Sequence, residues 1–225
     1  MTNFEQGLEK LEELKAWAEA HEPEISRNEA ATRLHLIDEL LMGCLAWPRE
    51  EISPEEYHNN EFADYVIGAP SRLLLVEAKR EGAYFDLPAD TPRIVKLRTL
   101  FRASDELKSA IEQALGYALD QGMMFGAVCN GRQLIAFLAS RQDGVRPREG
   151  RALVFHSLED MVDEFRLLWD NLSKPGCEGR GLTATLGGDT PSPPPEKLSA
   201  RIRGYPGFAQ RSDLETELQI LGELF

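Results

Sequence analysis

Apolar residues recur at helical spacing in four segments of the chain, with charged residues between them. Residues three and four apart share one face of a helix, so this pattern predicts amphipathic helices. Ser104 is a good N-cap, and Gly122 follows the same segment as a stop signal. The predicted helices cover residues 3–20, 26–46, 104–121 and 157–172.

Shorter apolar runs predict strands. Residues 62–67 and 73–79 meet at a Gly-Ala-Pro-Ser turn, which predicts a hairpin, and a first strand is expected near Ile52 or Tyr57. A second hairpin is expected around Asn130-Gly131, because Asn-Gly favours a two-residue turn. Val154 and Phe155 predict another strand. The order of elements predicts an α/β fold in which helices flank a central mixed sheet.

Composition shifts predict three regions. Residues 1–173 have globular patterning, and 174–198 are rich in Gly and Pro and predict a linker. Residues 199–225 contain a weak basic-aromatic segment and a predicted helix from Ser212 that has no stop signal. We therefore expect the C-terminal segment to lead into a further domain.

The net charge of −13 over 225 residues argues against bulk electrostatic coating of nucleic acid, so a nucleic-acid contact would need a local basic patch. The densest basic segment lies in a predicted connection over 80–103 and contains Arg93, Lys96, Arg98 and Arg102. It could contact a nucleic-acid backbone, and a solvated loop explains these residues equally well. The three cysteines suggest neither a disulfide framework nor a zinc site. Without a signal peptide or membrane-spanning run, a cytoplasmic protein is expected.

Charged residues interrupt the two strands of the first hairpin. Asp64 lies within one strand, and Glu77 and Lys79 follow Leu73-Leu-Leu-Val76. Because side chains alternate along a strand, Glu77 and Lys79 share a face. Charges at the end of a buried strand are costly unless something compensates them. A metal ion held by Asp64 and Glu77, with Lys79 beside it, would do so.

Two predicted helices carry further candidate residues. Glu29 lies in the first turn of the second helix, where Ser26-Arg-Asn-Glu29 also fits a capping box, the favoured reading of Glu29 alone. Gln113 and Tyr117 are four apart, so they lie one above the other on the third helix. Taken alone, these two residues are better explained as neighbours of the core.

These positions together resemble the PD-(D/E)XK, or restriction-endonuclease-like, nuclease superfamily. Glu77-Ala78-Lys79 matches its E-x-K, Asp64 matches the preceding acid, and Gln113-Ala-Leu-Gly-Tyr117 matches Q-x-x-x-Y. Residues 28–38 are similar to the opening helix of nuclease domains in type I restriction subunits. The resemblance covers about residues 25–140. Ala63 stands where the superfamily often has proline.

The resemblance implies Mg²⁺-dependent hydrolysis of DNA, with Mn²⁺ as a substitute, within a bacterial restriction or anti-phage system. It implies metal ligands from Asp64, Glu77, the Ala78 carbonyl and Glu29, with Lys79 positioning the attacking water. Gln113 and Tyr117 would contact the phosphate backbone or brace the site. DNA is the expected partner, with a translocase or NTPase in further domains or subunits and homo-oligomers also possible.

An alternative is a catalytically inactive module of the same fold that binds nucleic acid or protein. The acidic net charge favours it, whereas the complete set of candidate site residues disfavours it. No P-loop motif or G-x-S-x-G is present, so neither ATP binding nor a serine-hydrolase site is indicated within the chain.

Overall fold

The computed structural model describes residues 2–22, 29–58, 61–79 and 87–188. Its centre is a mixed seven-stranded sheet with the strand order β1-β2-β3-β5-β6-β7-β4. The β3–β5 pair is parallel and the other neighbours are antiparallel. The strands are β1 (Ile52–His58), β2 (Glu61–Ile67), β3 (Leu74–Ala78), β4 (Ile94–Lys96), β5 (Phe125–Cys129), β6 (Leu134–Leu138) and β7 (Arg151–Phe155).

Helices cover both faces of this sheet. The second helix, α2, has α geometry at Glu29–Thr32 and π geometry at Arg33–Ile37 and Glu39–Cys44. Short 3₁₀ turns lie at Arg49–Glu51 and Pro147–Glu149. The remaining helices are α1 (Phe4–Ala20), α3 (Leu97–Ala103), α4 (Asp105–Asp120), α5 (Leu158–Asp163), α6 (Phe165–Leu172), α7 (Lys174–Glu178) and α8 (Gly181–Leu186).

Two hydrophobic layers hold the sheet. On one face, α1, α2 and α5–α8 bury residues such as Leu36, Phe125 and Phe165. On the other, α3 and α4 bury residues such as Ile111 and Phe137. Because β3 and β5 are buried at every position, they read as continuous apolar runs rather than as alternating strands. This central position fixes the end of β3, where the candidate site lies.

The predicted α/β class and most of the predicted elements are confirmed. The Ser104 hydroxyl accepts a hydrogen bond from the Leu107 amide and caps α4 as expected. The helix predicted over 157–172 is interrupted at Glu164. Among the described residues, no helix combines the length and apolar character required to cross a membrane.

The linker prediction is wrong for residues 174–186, which form α7 and α8. The Ser173 hydroxyl caps α7 by accepting from the Gly176 amide, and Pro175 lies in the first turn, where its missing amide hydrogen costs nothing. A Cβ at Gly176 would lie 2.4 Å from the Trp169 carbonyl oxygen. The small residues therefore permit close packing against α6. The described unit extends through this region.

Two loop predictions also need correction. The predicted connection over 80–103 contains β4 and α3, because Val95, Leu97 and Leu100 are buried in the second layer. Cys129 pairs with Leu134, so the β5–β6 loop has four residues rather than two. Within it, the Asn130 side-chain oxygen accepts from the amides of residues 132 and 133.

Several sequence predictions lie outside the described residues. These are the Ser26 cap, residues 80–86 of the basic connection, the linker from 189 onward, and the segment 199–225 with its helix from Ser212.

Candidate active site

Asp64 lies where β2 stops pairing with β3. Tyr65 pairs with Val76, and beyond that pair the Asp64 Oδ2 atom accepts a hydrogen bond from the Ala78 amide at 2.8 Å. The carboxylate thus accepts the hydrogen bond that a backbone carbonyl of β2 would accept if the two strands stayed paired. Its side chain is only 13% exposed. This bond fixes Asp64 against the backbone of the E-x-K segment.

Glu77 and Lys79 form a close ion pair at the end of β3. The Lys79 Nζ atom lies 2.6 Å from Glu77 Oε1. Glu77 is 1% exposed, so the carboxylate would be costly there without a cation beside it. The Lys79 amide donates to the Cys129 carbonyl at 2.8 Å, which keeps this segment beside β5. The predicted sharing of one face by Glu77 and Lys79 agrees with this contact.

Helix α4 brings Gln113 to the same place. Its Oε1 atom accepts from Lys79 Nζ at 3.4 Å, a long hydrogen bond. Tyr117 lies one turn further along α4 and is 5% exposed, in the core layer that also contains Leu75. The structure therefore joins Asp64, Glu77, Lys79 and Gln113 through a continuous set of contacts around Ala78. A role for Tyr117 in phosphate contact stays a prediction.

Glu29 begins the described part of α2, but its side chain lies outside the described residues. Neither its metal-site role nor its capping role is therefore tested. Ala78 is fully buried, and its amide is the donor to Asp64. A ligand role for its carbonyl also stays a prediction.

Arg33 belongs to the site, although the sequence did not single it out. Its Nη1 atom lies 3.2 Å from Asp64 Oδ1, and its guanidinium carbon lies 5.1 Å from the centre of the Tyr65 ring. Cation–π attraction and the ion pair thus hold the same side chain. One available signal was its spacing four residues after Glu29, which puts both on one face of an α-helix.

Asp38 and Tyr65 form a second, half-buried contact beside Arg33. The Tyr65 hydroxyl donates to Asp38 Oδ1 at 2.6 Å. Burial raises the pKa of Tyr65, and the hydrogen bond to the Asp38 carboxylate raises it further. The hydroxyl therefore remains a donor at neutral pH and keeps α2 attached to β2.

The π geometry of α2 explains how Arg33 and Asp38 reach the same tyrosine. The Asp38 amide donates to the Arg33 carbonyl, a bond between residues five apart. Five residues complete about one turn of a π-helix, so the two side chains share a face there but would diverge in an α-helix. Sequence analysis at the α-helical period therefore missed this pair. Short π segments occur frequently at functional sites.

The acidic pair suits a hard cation by its donor chemistry. Mg²⁺ is commonly bound through one or two carboxylates, with water completing its shell. Asp64 and Glu77 provide two: Asp64 binds the Ala78 amide, and Glu77 precedes Ala78 in the chain. Within the described ranges, no group of three or more His, Cys, Asp or Glu side chains could hold a metal ion. A magnesium ion held by only two such carboxylates would complete its shell with water or backbone oxygens.

The predicted basic segment does not adjoin this site as a unit. Arg93 forms a bidentate ion pair with Asp160 and donates to the Val154 carbonyl at 2.6 Å, so it has a structural role. Strand β4, which carries Lys96, lies at the opposite edge of the sheet from β1. Lys96, Arg98 and Arg102 are exposed. A DNA contact by these three residues stays a prediction.

Comparison of the chain with family models, curated proteins and solved structures found no match. The functional assignment consequently depends on the residues and on their geometry.

Proposed function

We propose that the described unit is a metal-dependent nuclease domain with a restriction-endonuclease-like core, acting on DNA in a bacterial restriction or anti-phage system. The observation that carries this proposal is that Asp64 and Gln113, from two other elements, both contact the Glu77-Ala78-Lys79 segment: Asp64 binds the Ala78 amide, and Lys79 binds Glu77 and Gln113. Three different elements supply these four residues, and the motif resemblance had named all four, together with Glu29, Ala78 and Tyr117. A chance E-x-K would not explain why an acid and a glutamine from other elements reach it.

The chain's own groups fit phosphodiester hydrolysis. Asp64 and Glu77 would hold Mg²⁺, or Mn²⁺ in its place, and the ion when bound supplies charge stabilisation and a more acidic water. Lys79 presents a positive Nζ atom where negative charge develops on the phosphate oxygens. Gln113 restrains that ammonium through its hydrogen bond. Arg33 limits the freedom of the Asp64 carboxylate, since it contacts Oδ1.

A second candidate is an inactive module of the same fold that binds a protein or nucleic acid. One observation favours it: Arg33 pairs with Asp64 and Lys79 pairs with Glu77, so protein cations already balance both carboxylates. The net charge of −13 also suits a basic protein partner.

Cleavage of plasmid and linear DNA in Mg²⁺ and in Mn²⁺ tests the proposal. We expect Lys79→Ala to lower the cleavage rate by about 100-fold or more, because a preorganised positive group is lost from the transition state. Lys10→Ala is the matched control, since Lys10 is exposed on α1 and distant in sequence from the E-x-K. The control should cleave at the wild-type rate.

Equal cleavage by wild type and Lys79→Ala would reject the catalytic assignment. Calorimetry with Mg²⁺ and Mn²⁺ separates the two candidate functions. The nuclease should bind metal through a site that Asp64→Asn weakens. An inactive module should give the same heat signal for wild type and Asp64→Asn.

A further inference from the structure

A cleft of about 330 Å³ lies between the outer face of α2 and the start of the β1–β2 hairpin. Its volume falls at the lower end of the range for small-ligand sites, which is roughly 300–1,000 Å³. Tyr65 lines it from the sheet. Arg33, the residue that contacts Asp64, lines it from α2. The cleft is therefore adjacent to the candidate active site and shares a side chain with it.

Among the described residues that line the cleft, the ionisable ones are more basic than acidic. Arg33 and Arg49 face one carboxylate, Asp38, whose Oδ1 atom accepts from the Tyr65 hydroxyl. Arg49 is exposed at the 3₁₀ turn before β1. Guanidinium groups bind phosphate through paired hydrogen bonds. Arg33 shares its charge with Asp64, and Arg49 adds a further positive charge at this cleft in a chain whose net charge is −13.

The other described residues of the cleft lining are mostly apolar. Leu34, Met42 and Ile52 line it, and Leu34 is 60% exposed. The Leu34 side chain is therefore available to contact an apolar group bound in this cleft. An apolar wall beside two arginines matches a ligand with a phosphate at one end and a flat organic group at the other.

We propose that this cleft is a subsite for a nucleotide of the DNA strand, next to the bond held at Asp64 and Lys79. Arg33 and Arg49 bind its phosphate, and Leu34 and Ile52 contact its sugar and base. The cleft adjoins the candidate active site because Arg33 lines the cleft and its guanidinium contacts the Asp64 carboxylate. This inference rests on the proposed nuclease function for the identity of the strand.

Fluorescence anisotropy tests the subsite with a labelled 12-nucleotide single DNA strand, in EDTA so that no cleavage occurs. Arg49→Ala should weaken binding by about tenfold, since a charge-assisted contact is lost. The slope of log K against log salt should fall in magnitude by about 0.7, the amount for one phosphate on a single strand. Arg146→Ala, an 83% exposed arginine outside the cleft, is the control and should change neither quantity.

Leu34→Ala separates the apolar wall from the phosphate contacts. Because Leu34 is mostly exposed, the variant should fold normally and bind about threefold more weakly with an unchanged salt slope. Thymidine 5′-monophosphate is the second probe. If the mononucleotide binds more weakly than the DNA strand, the result supports the subsite. If it binds as tightly as the strand, the cleft is a site for a free nucleotide and the subsite proposal is overturned.

Identical affinity and salt slope for wild type and Arg49→Ala would also overturn the subsite. This failure is distinct from failure of the nuclease proposal. An inactive protein that still shows Arg49-dependent strand binding contradicts only the catalytic assignment. A protein that cleaves DNA with Arg49-independent binding contradicts only the subsite.

Discussion

At the scale of single residues, the candidate site is built from paired opposite charges and one buried hydroxyl. Asp64 faces Arg33, Glu77 faces Lys79, and the Tyr65 hydroxyl contacts Asp38. A buried charge left without its partner costs several kcal/mol, so each pair is sensitive to truncation of one member. Stability measurements must therefore accompany every activity measurement on these residues.

Tyr65→Phe removes only the hydroxyl and leaves the ring, so it measures the contribution of the hydroxyl to stability. We expect the free energy of unfolding to fall by about 1–2 kcal/mol, because a short hydrogen bond to a carboxylate is lost from a side chain that is 2% exposed. Urea denaturation measures the change. A double-mutant cycle with Asp38→Ala, which removes the acceptor, provides the control, and additive effects of the two substitutions would contradict a direct bond.

At the scale of elements, glycines decide how closely neighbouring helices approach. Gly181 opens α8, and a Cβ there would lie 1.8 Å from the Asp170 carbonyl oxygen of α6. Gly116 lies in α4, and a Cβ there would meet nothing within 4 Å. The two positions have opposite physical demands although both are helical glycines.

Alanine at these two positions forms a matched pair. Gly181→Ala should lower the free energy of unfolding by about 3 kcal/mol, since α8 must shift away from α6. Gly116→Ala should raise it by about 0.5–1 kcal/mol through helix propensity. Thermal and urea unfolding of both variants test this. A neutral Gly181→Ala would show that residues 174–186 do not pack as described.

The elements also show what sequence reasoning can and cannot reach. The α4 cap and most of the helices and strands could be predicted from the sequence, because each depends on the local spacing of residues. The proximity of Arg33 and Asp38 could not be predicted, because it depends on π-helical geometry and the sequence was analysed at the α-helical period. Residues 174–186 were misread for another reason: glycines that permit close packing have the same composition as glycines in a linker.

The site itself was partly predictable for similar reasons. Glu77 and Lys79 share a face by strand alternation alone, and Gln113 could be placed near them through the motif resemblance. The exact partner of each charge depends on tertiary contacts between α2, β2 and α4. The spacing of Arg33 four residues after Glu29 could place it on the same helix face, but it could not identify Asp64 as the partner of Arg33.

At the scale of the whole molecule, ion pairs at the far edge of the sheet link stability to pH. Burial alone would raise the pKa of Asp160, but hydrogen bonds from Arg93 and from the His156 amide lower it overall. A lowered folded-state pKa contributes stability above the unfolded value, near 3.9. That contribution is lost as the pH falls through the folded value.

Asp160→Asn should therefore reduce stability at neutral pH and flatten its dependence on pH below about 4. Urea unfolding between about pH 2 and pH 7 measures both effects, because this range includes the pH values at which carboxylates titrate. Asp163→Asn, an exposed position at the end of the same helix, is the control and should keep the wild-type profile. Parallel profiles for all three proteins would contradict the linkage.

The three cysteines are buried at different places: Cys44 in α2, Cys129 at the end of β5 and Cys177 in α7. Burial raises the pKa of Cys44 and of Cys129 to about 12, so their thiols stay protonated and poorly nucleophilic in the folded protein. All three lie in the same hydrophobic layer, so each becomes reactive only when that layer opens around it. Their modification therefore reports opening of this layer at three points: in α2, at the end of β5 and in α7.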